Sequence, residues 1–209
     1  MIRLLPLLVM TVACDEVTTD GSGYVLAEVR EVEAFSGVVT DGINARVSVG
    51  GMQRVQLISD DNILPSVQAE VVDGVLMISM APGDWSPTSL SVDVSVPALG
   101  FVGNHGGADL SVVGIAAEVL EVSASGIGHT ELSGVVSDLI IDSSGSGTRN
   151  GQDLRAASVT VTATSDGTLW LTADDAIEGA IDGEATLNVF GDPKIRDVDS
   201  TGLGSVAYY

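Results

Sequence analysis

A glycine-marked repeat of about 20 residues is what most limits the folds open to this chain. Its copies are Asn104-His105-Gly106-Gly107-Ala108-Asp109-Leu110, Ser125-Gly126-Ile127-Gly128-His129-Thr130 and Ser144-Gly145-Ser146-Gly147-Thr148-Arg149. Ser165-Asp166-Gly167-Thr168-Leu169 follows, with weaker copies at Gly183-Glu184-Ala185-Thr186 and Thr201-Gly202-Leu203-Gly204-Ser205. Taking Gly107, Gly128, Gly147, Gly167, Ala185 and Gly204 as anchors, the spacings are 21, 19, 20, 18 and 19. Two or three short strands plus turns fill such a period and close one circuit of a β-solenoid. One coil cannot bury its own apolar face, so coils stack. Gly-x-Gly supplies the positive φ that side-chain-bearing residues resist, and corners then recur above one another.

Between corners the chain alternates. Ala45-Arg46-Val47-Ser48-Val49, Ser91-Val92-Asp93-Val94-Ser95-Val96 and Ser158-Val159-Thr160-Val161-Thr162 each place apolar side chains on one face. No stretch after Tyr24 has a convincing helical period, so the class is all-β. The expected architecture is a β-solenoid spanning residues 24–209. Its lumen is expected to hold Leu110, Val112, Leu120, Val122, Leu132, Leu139, Ile141, Val159, Val161, Leu169, Leu171, Leu187 and Val189. A β-sandwich is the rival, but a sandwich does not require glycine corners at a fixed interval.

The first residues read as an address. Arg3 precedes an apolar run, Leu4–Ala13, too short to span a membrane. Cys14, the only cysteine, follows Thr11-Val12-Ala13, which resembles a bacterial lipobox with Thr11 in the place of the usual leucine. Residues 1–13 are therefore expected to be a signal peptide and Cys14 the lipidated first mature residue, carrying acyl chains such as palmitate. The alternative is cleavage near Ala13 with Cys14 left as a free thiol. Residues 14–23 read as a flexible tether.

The chain has 8 Lys+Arg against 29 Asp+Glu. Nucleic acid is excluded as a partner, because phosphate contacts need basic residues. Loss of Arg3 leaves seven basic residues and a charge of 7 − 29 = −22, so the body is expected to stand off anionic lipid while the lipid anchor holds the membrane. A single cysteine and two histidines exclude a disulfide framework and a Cys-based zinc site.

Phe35-Ser36-Gly37-Val38, Gly42-Ile43-Asn44, Ser59-Asp60-Asp61-Asn62-Ile63-Leu64, Asp73-Gly74-Val75-Leu76-Met77-Ile78, the Ser-Gly-x-Gly copies and Gly191-Asp192-Pro193-Lys194-Ile195 occur in that order. The set resembles the "putative auto-transporter adhesin, head GIN domain" family of bacterial envelope proteins, from about Val32 to Val206. The resemblance implies a right-handed parallel β-helix, a secreted or lipoprotein location and no general enzymatic activity. The chain departs from the pattern at Ser165-Asp166-Gly167 and Gly183-Glu184-Ala185, where different turns are expected.

Catalytic chemistry has little material here. Asp60-Asp61 and Asp174-Asp175 are adjacent carboxylates, which point to opposite faces of a strand and read as solvated turn residues. His105 and His129 are 24 residues apart, out of register with the repeat, and read as exposed turn histidines. Weak, diffuse Ca²⁺ association at the acidic surface is expected, with no defined metal site and no cofactor. Trp170 alternates with Leu169 and Leu171 and should point outward; Trp170 and Trp85 are the candidate binding residues. The expected role is a non-catalytic envelope β-helix that presents a face to a surface protein, a glycan or a second copy. A polysaccharide-active enzyme on the same scaffold and a structural spacer are the alternatives.

Overall fold

A computed structural model describes residues 18–164 and 166–209. The segment expected to be a signal peptide, residues 1–13, and Cys14 lie outside these residues. The described chain is a β-solenoid whose strands pair mostly in parallel.

Four long strands carry the repeat: Leu110–Ala124, Thr130–Ser143, Thr148–Thr164 and Thr168–Asp182. Each bends around the solenoid, so its first part lies on one face and its last part on another. On the first face Leu110 pairs with Thr130, Thr130 with Arg149, Thr168 with Thr186, and Thr186 with Ser205. On the second face Val119 pairs with Asp138, Asp138 with Ser158, Ser158 with Ala176, and Ala176 with Ile195. All of the residues expected in the lumen are buried. This parallel stack rules out the sandwich.

The first coils do not follow chain order. Gly37–Asp41 lies between Val75–Met80 and Phe101–His105, and Asn44–Val49 lies between Leu90–Val96 and Leu110–Ala124. The chain lays down this coil first, turns away, and returns to build on both sides of it. Antiparallel pairings make the reversal: Arg54–Asp60 runs against Leu90–Val96, and Val67–Val72 runs against Val75–Met80. The tight turn between the last two uses Asp73 at φ 51° and Gly74 at φ 78°, the left-handed pair that suits a two-residue hairpin. Val25–Arg30 adds a further antiparallel strand beside Arg54–Asp60.

The anchor spacing sharpens in three dimensions. A Cβ built on Gly128 would meet the carbonyl of Ala108, and one on Gly147 the carbonyl of Gly128. The residue beneath Gly128 is thus Ala108 rather than Gly107. Gly126 and Gly145 form a second column, above Gly106 and Gly126 respectively. The departures at Gly167 and Ala185 leave the ladder intact, since the Thr186 amide donates to the Gly167 carbonyl and Ser205 to Ala185.

Candidate interaction surface

Asp60 is neither solvated nor placed for catalysis. It has no exposed surface, and its carboxylate accepts hydrogen bonds from the Thr88 hydroxyl (2.6 Å) and the amides of Thr88 (2.7 Å), Gly23 (2.8 Å) and Ser89 (3.4 Å). Asp61 accepts from the Ser22 hydroxyl, and Asn62 bonds both the Ser22 amide and the Asp20 carbonyl. The Asp60-Asp61-Asn62 turn is a clasp on the incoming segment. Residues 19 and 20 also pair with Trp85 and Ser86, so the end of the segment read as tether lies along the body.

The Thr88 hydroxyl, joined by the amides of Gly23, Thr88 and Ser89, holds the Asp60 carboxyl below its ordinary value against the opposing effect of burial. A carboxyl depressed in the folded state stabilises fully above its unfolded value, about 3.9, and stops doing so as the pH falls through the folded value. Wild type is expected to melt well above Asp60→Asn at pH 7, with the two midpoints converging as the pH falls past the unfolded value and through the lower folded one. A gap that ignores pH would assign the clasp to packing rather than to the carboxylate.

The other expected candidates stay apart. Asp174 pairs with Arg155 at 2.7 Å in solvent, while the Asp175 carbonyl accepts from the Lys194 amide. His105 Nδ1 lies 3.1 Å from the Ser125 hydroxyl on the second face, while the His129 carbonyl accepts from Asn104. Among the described residues no three His, Cys, Asp or Glu side chains converge on a metal position.

The tryptophans are also separate. Trp85 donates its indole N–H to the Ala81 carbonyl at 2.9 Å and lies against Gly83, so it holds its own loop. Trp170 points outward, 36% exposed between two fully buried leucines. Its ring stacks on Phe190 (5.9 Å), which stacks on Tyr209 (5.2 Å). Phe190 is covered on both sides by this ladder, and each pair contributes about 0.5–1.5 kcal/mol beyond burial.

Two open clefts mark the outer faces. On the first face a shallow trough passes Arg54, Asp93 and Arg46, with cavities of about 570, 230 and 410 Å³ sharing these residues and Ser95. Ladder pairing continues from Arg46 through Ser111, Glu131 and Asn150 to Trp170, so the trough and the aromatic ladder lie on one face. On the second face a groove of about 550 Å³ is floored by Val39, Val75, Met77 and Phe101, with Asp41, Asp73 and His105 at its edge. Sequence reasoning passed over this groove. Its signal is the run of adjacent apolar residues in Val38-Val39 and Leu76-Met77-Ile78, which leaves both faces of those strands apolar.

The fold is a parallel β-helix with open clefts on two of its outer faces. A family model described as "putative auto-transporter adhesin, head GIN domain" matches residues 34–193, and the chain belongs to that family. Three solved structures share the fold. A putative adhesin from Bacteroides fragilis NCTC 9343 is 18% identical, with a TM-score of 0.75 over 91% of this chain and 100% of that one. A putative lipid binding protein from Parabacteroides distasonis ATCC 8503 is 17% identical, with a TM-score of 0.61 over 92% and 100%. A putative adhesin from Parabacteroides merdae ATCC 43184 is 16% identical, with a TM-score of 0.61 over 92% and 99%. No curated protein matches the chain.

Proposed function

We propose that this chain is a lipid-anchored, non-catalytic β-helix of the bacterial cell envelope that presents a sheet face to a surface protein or a glycan. The observation that carries the reading is the pair of open clefts on otherwise regular outer faces, one apolar and one that passes Arg46 and Arg54. Arg46 and Arg54 form no ion pair among the described residues, although acidic residues outnumber basic ones more than three to one. Membership of an adhesin-named family supports a surface role. The anchor rests on Cys14 after its apolar run, and two acyl chains at about 0.8 kcal/mol per buried CH₂ would hold the body at the membrane.

Two measurements test this. Wild-type protein should fractionate with membranes and incorporate labelled palmitate, and Cys14→Ser should do neither. Cys14→Ser protein immobilised with and without calcium should capture a partner from envelope extracts or bind on a glycan array. Release of new reducing ends from a polysaccharide would instead favour the enzyme, and silence in every assay the spacer.

A further inference from the structure

We infer that the apolar groove of the second face is a docking site for a basic, amphipathic segment of a partner protein. Apolar side chains of that segment seat on Val39, Met77 and Phe101, and its Lys or Arg side chains pair with Asp41 and Asp73. The inference rests on the surface-interaction reading above and names the chemistry of the partner.

The groove gathers apolar side chains on the outside of the sheet. Outward positions of a half-buried strand are ordinarily polar. Here four outward positions in neighbouring strands are apolar: Val75 and Phe101 flank Gly37 in one row, while Met77 and Val39 adjoin in the next. Gly103 continues the second row, and a Cβ there would come within 2.8 Å of Val39 Cγ2. Its bare backbone, itself buried, lets the Val39 side chain settle over it and stay low in the floor. Met77 is 40% exposed, and its flexible thioether suits a surface that accommodates varied apolar side chains.

Charge selects the occupant. Asp41 and Asp73 are exposed at the edge, and no Lys or Arg lines the groove. The hairpin turn holds the backbone of Asp73 at this edge. The net charge of −21 attracts basic partners over distance and repels anionic ones. A fatty acid or phospholipid would bring its anionic head group to these carboxylates. An extended peptide alternating apolar and basic residues instead places one face on the floor and its charges on the edge.

The test uses the full-length chain and a fluorescein-labelled peptide of alternating lysine and leucine, read by anisotropy. The peptide should bind saturably, and a lysine–serine peptide of equal charge at least tenfold more weakly. Met77→Lys should weaken the lysine–leucine peptide at least tenfold, and Asp41→Asn with Asp73→Asn several-fold. Circular dichroism confirms folding, and Val72→Lys, at an exposed lining position, replaces Met77→Lys if that variant fails to fold. Equal binding of the two peptides, or indifference to the lysine substitution, would reduce the effect to attraction by net charge and overturn the proposal. Preferential binding of dodecanoate would overturn it in favour of an acyl ligand. An envelope partner captured equally by wild type and Met77→Lys would remove the groove while leaving the surface-interaction reading standing.

Discussion

Gly128→Ala is expected to cost at least about 3 kcal/mol, while Gly107→Ala, one coil earlier, should stay within about 0.5 kcal/mol. The two glycines occupy equivalent places in the sequence repeat but not in the structure. A Cβ on Gly128 would lie 2.1 Å from the Ala108 carbonyl oxygen, with the Ala108 carbon and nitrogen at 3.0 Å. These are backbone atoms of the adjoining coil, so relief requires the coils to separate. The Gly147 corner stacks equally closely on Gly128, which spreads the disturbance in both directions. A Cβ on Gly107 would meet only Ile127 Cγ1, at an ordinary 3.5 Å. For a chain of this size the Gly128 variant should melt about 6 °C or more below wild type, and the Gly107 variant close to it. Equal midpoints would mean that the corners are not in contact.

That contrast shows how much of the fold the sequence carries. Alternation separates inside from outside, and it does so for every expected lumen residue from Leu110 to Val189. The repeat length carries the coil. It locates the first anchor one residue early, because Gly106-Gly107-Ala108 offers two glycines and the stacking position is filled by Ala108. With Ala108 as anchor the intervals are 20, 19, 20, 18 and 19, closer to even. The return of the chain around Gly37–Val49 is not legible, since local alternation is identical whichever strand becomes the neighbour. The Asp73-Gly74 turn signals a hairpin without saying which side of the first coil it leads to. Asp60 illustrates the same limit. Its burial depends on Gly23 and Thr88, distant residues that only the fold brings to it. Of the candidate surface, the outward turn of Trp170 follows from alternation, whereas the groove needs three strands side by side.

Arg149→Ala is expected to cost about 3–5 kcal/mol, because it combines a cavity with stranded carbonyls. Arg149 occupies the ladder position between Thr130 and Leu169, pointing into the lumen with 2% of its surface exposed. Aligning the repeats puts it in phase with Leu110, Leu169 and Leu187, so its burial was open to inference from spacing. Arginine's usual place at the surface argues the other way. Its guanidinium donates to the carbonyls of Gly128 (2.8 Å), Ser144 (3.2 Å) and Gly126 (3.4 Å). Burial lowers its pKa, yet a guanidinium starts so high that it keeps its proton. Among the described residues it forms no ion pair, so carbonyl dipoles of two successive corners compensate the charge. Arg149→Leu fills the space as the neighbouring coils do but takes the guanidinium donors from the Gly128 and Ser144 carbonyls, while Gly126 keeps the Gly147 amide, and should fall between alanine and wild type. Arg149→Lys cannot span three carbonyls with a single ammonium and should not restore stability. Urea unfolding at constant m-value orders the variants. A leucine variant more stable than wild type would show that desolvating the cation outweighs its bonds, and the corner stack would then stand on glycine geometry alone.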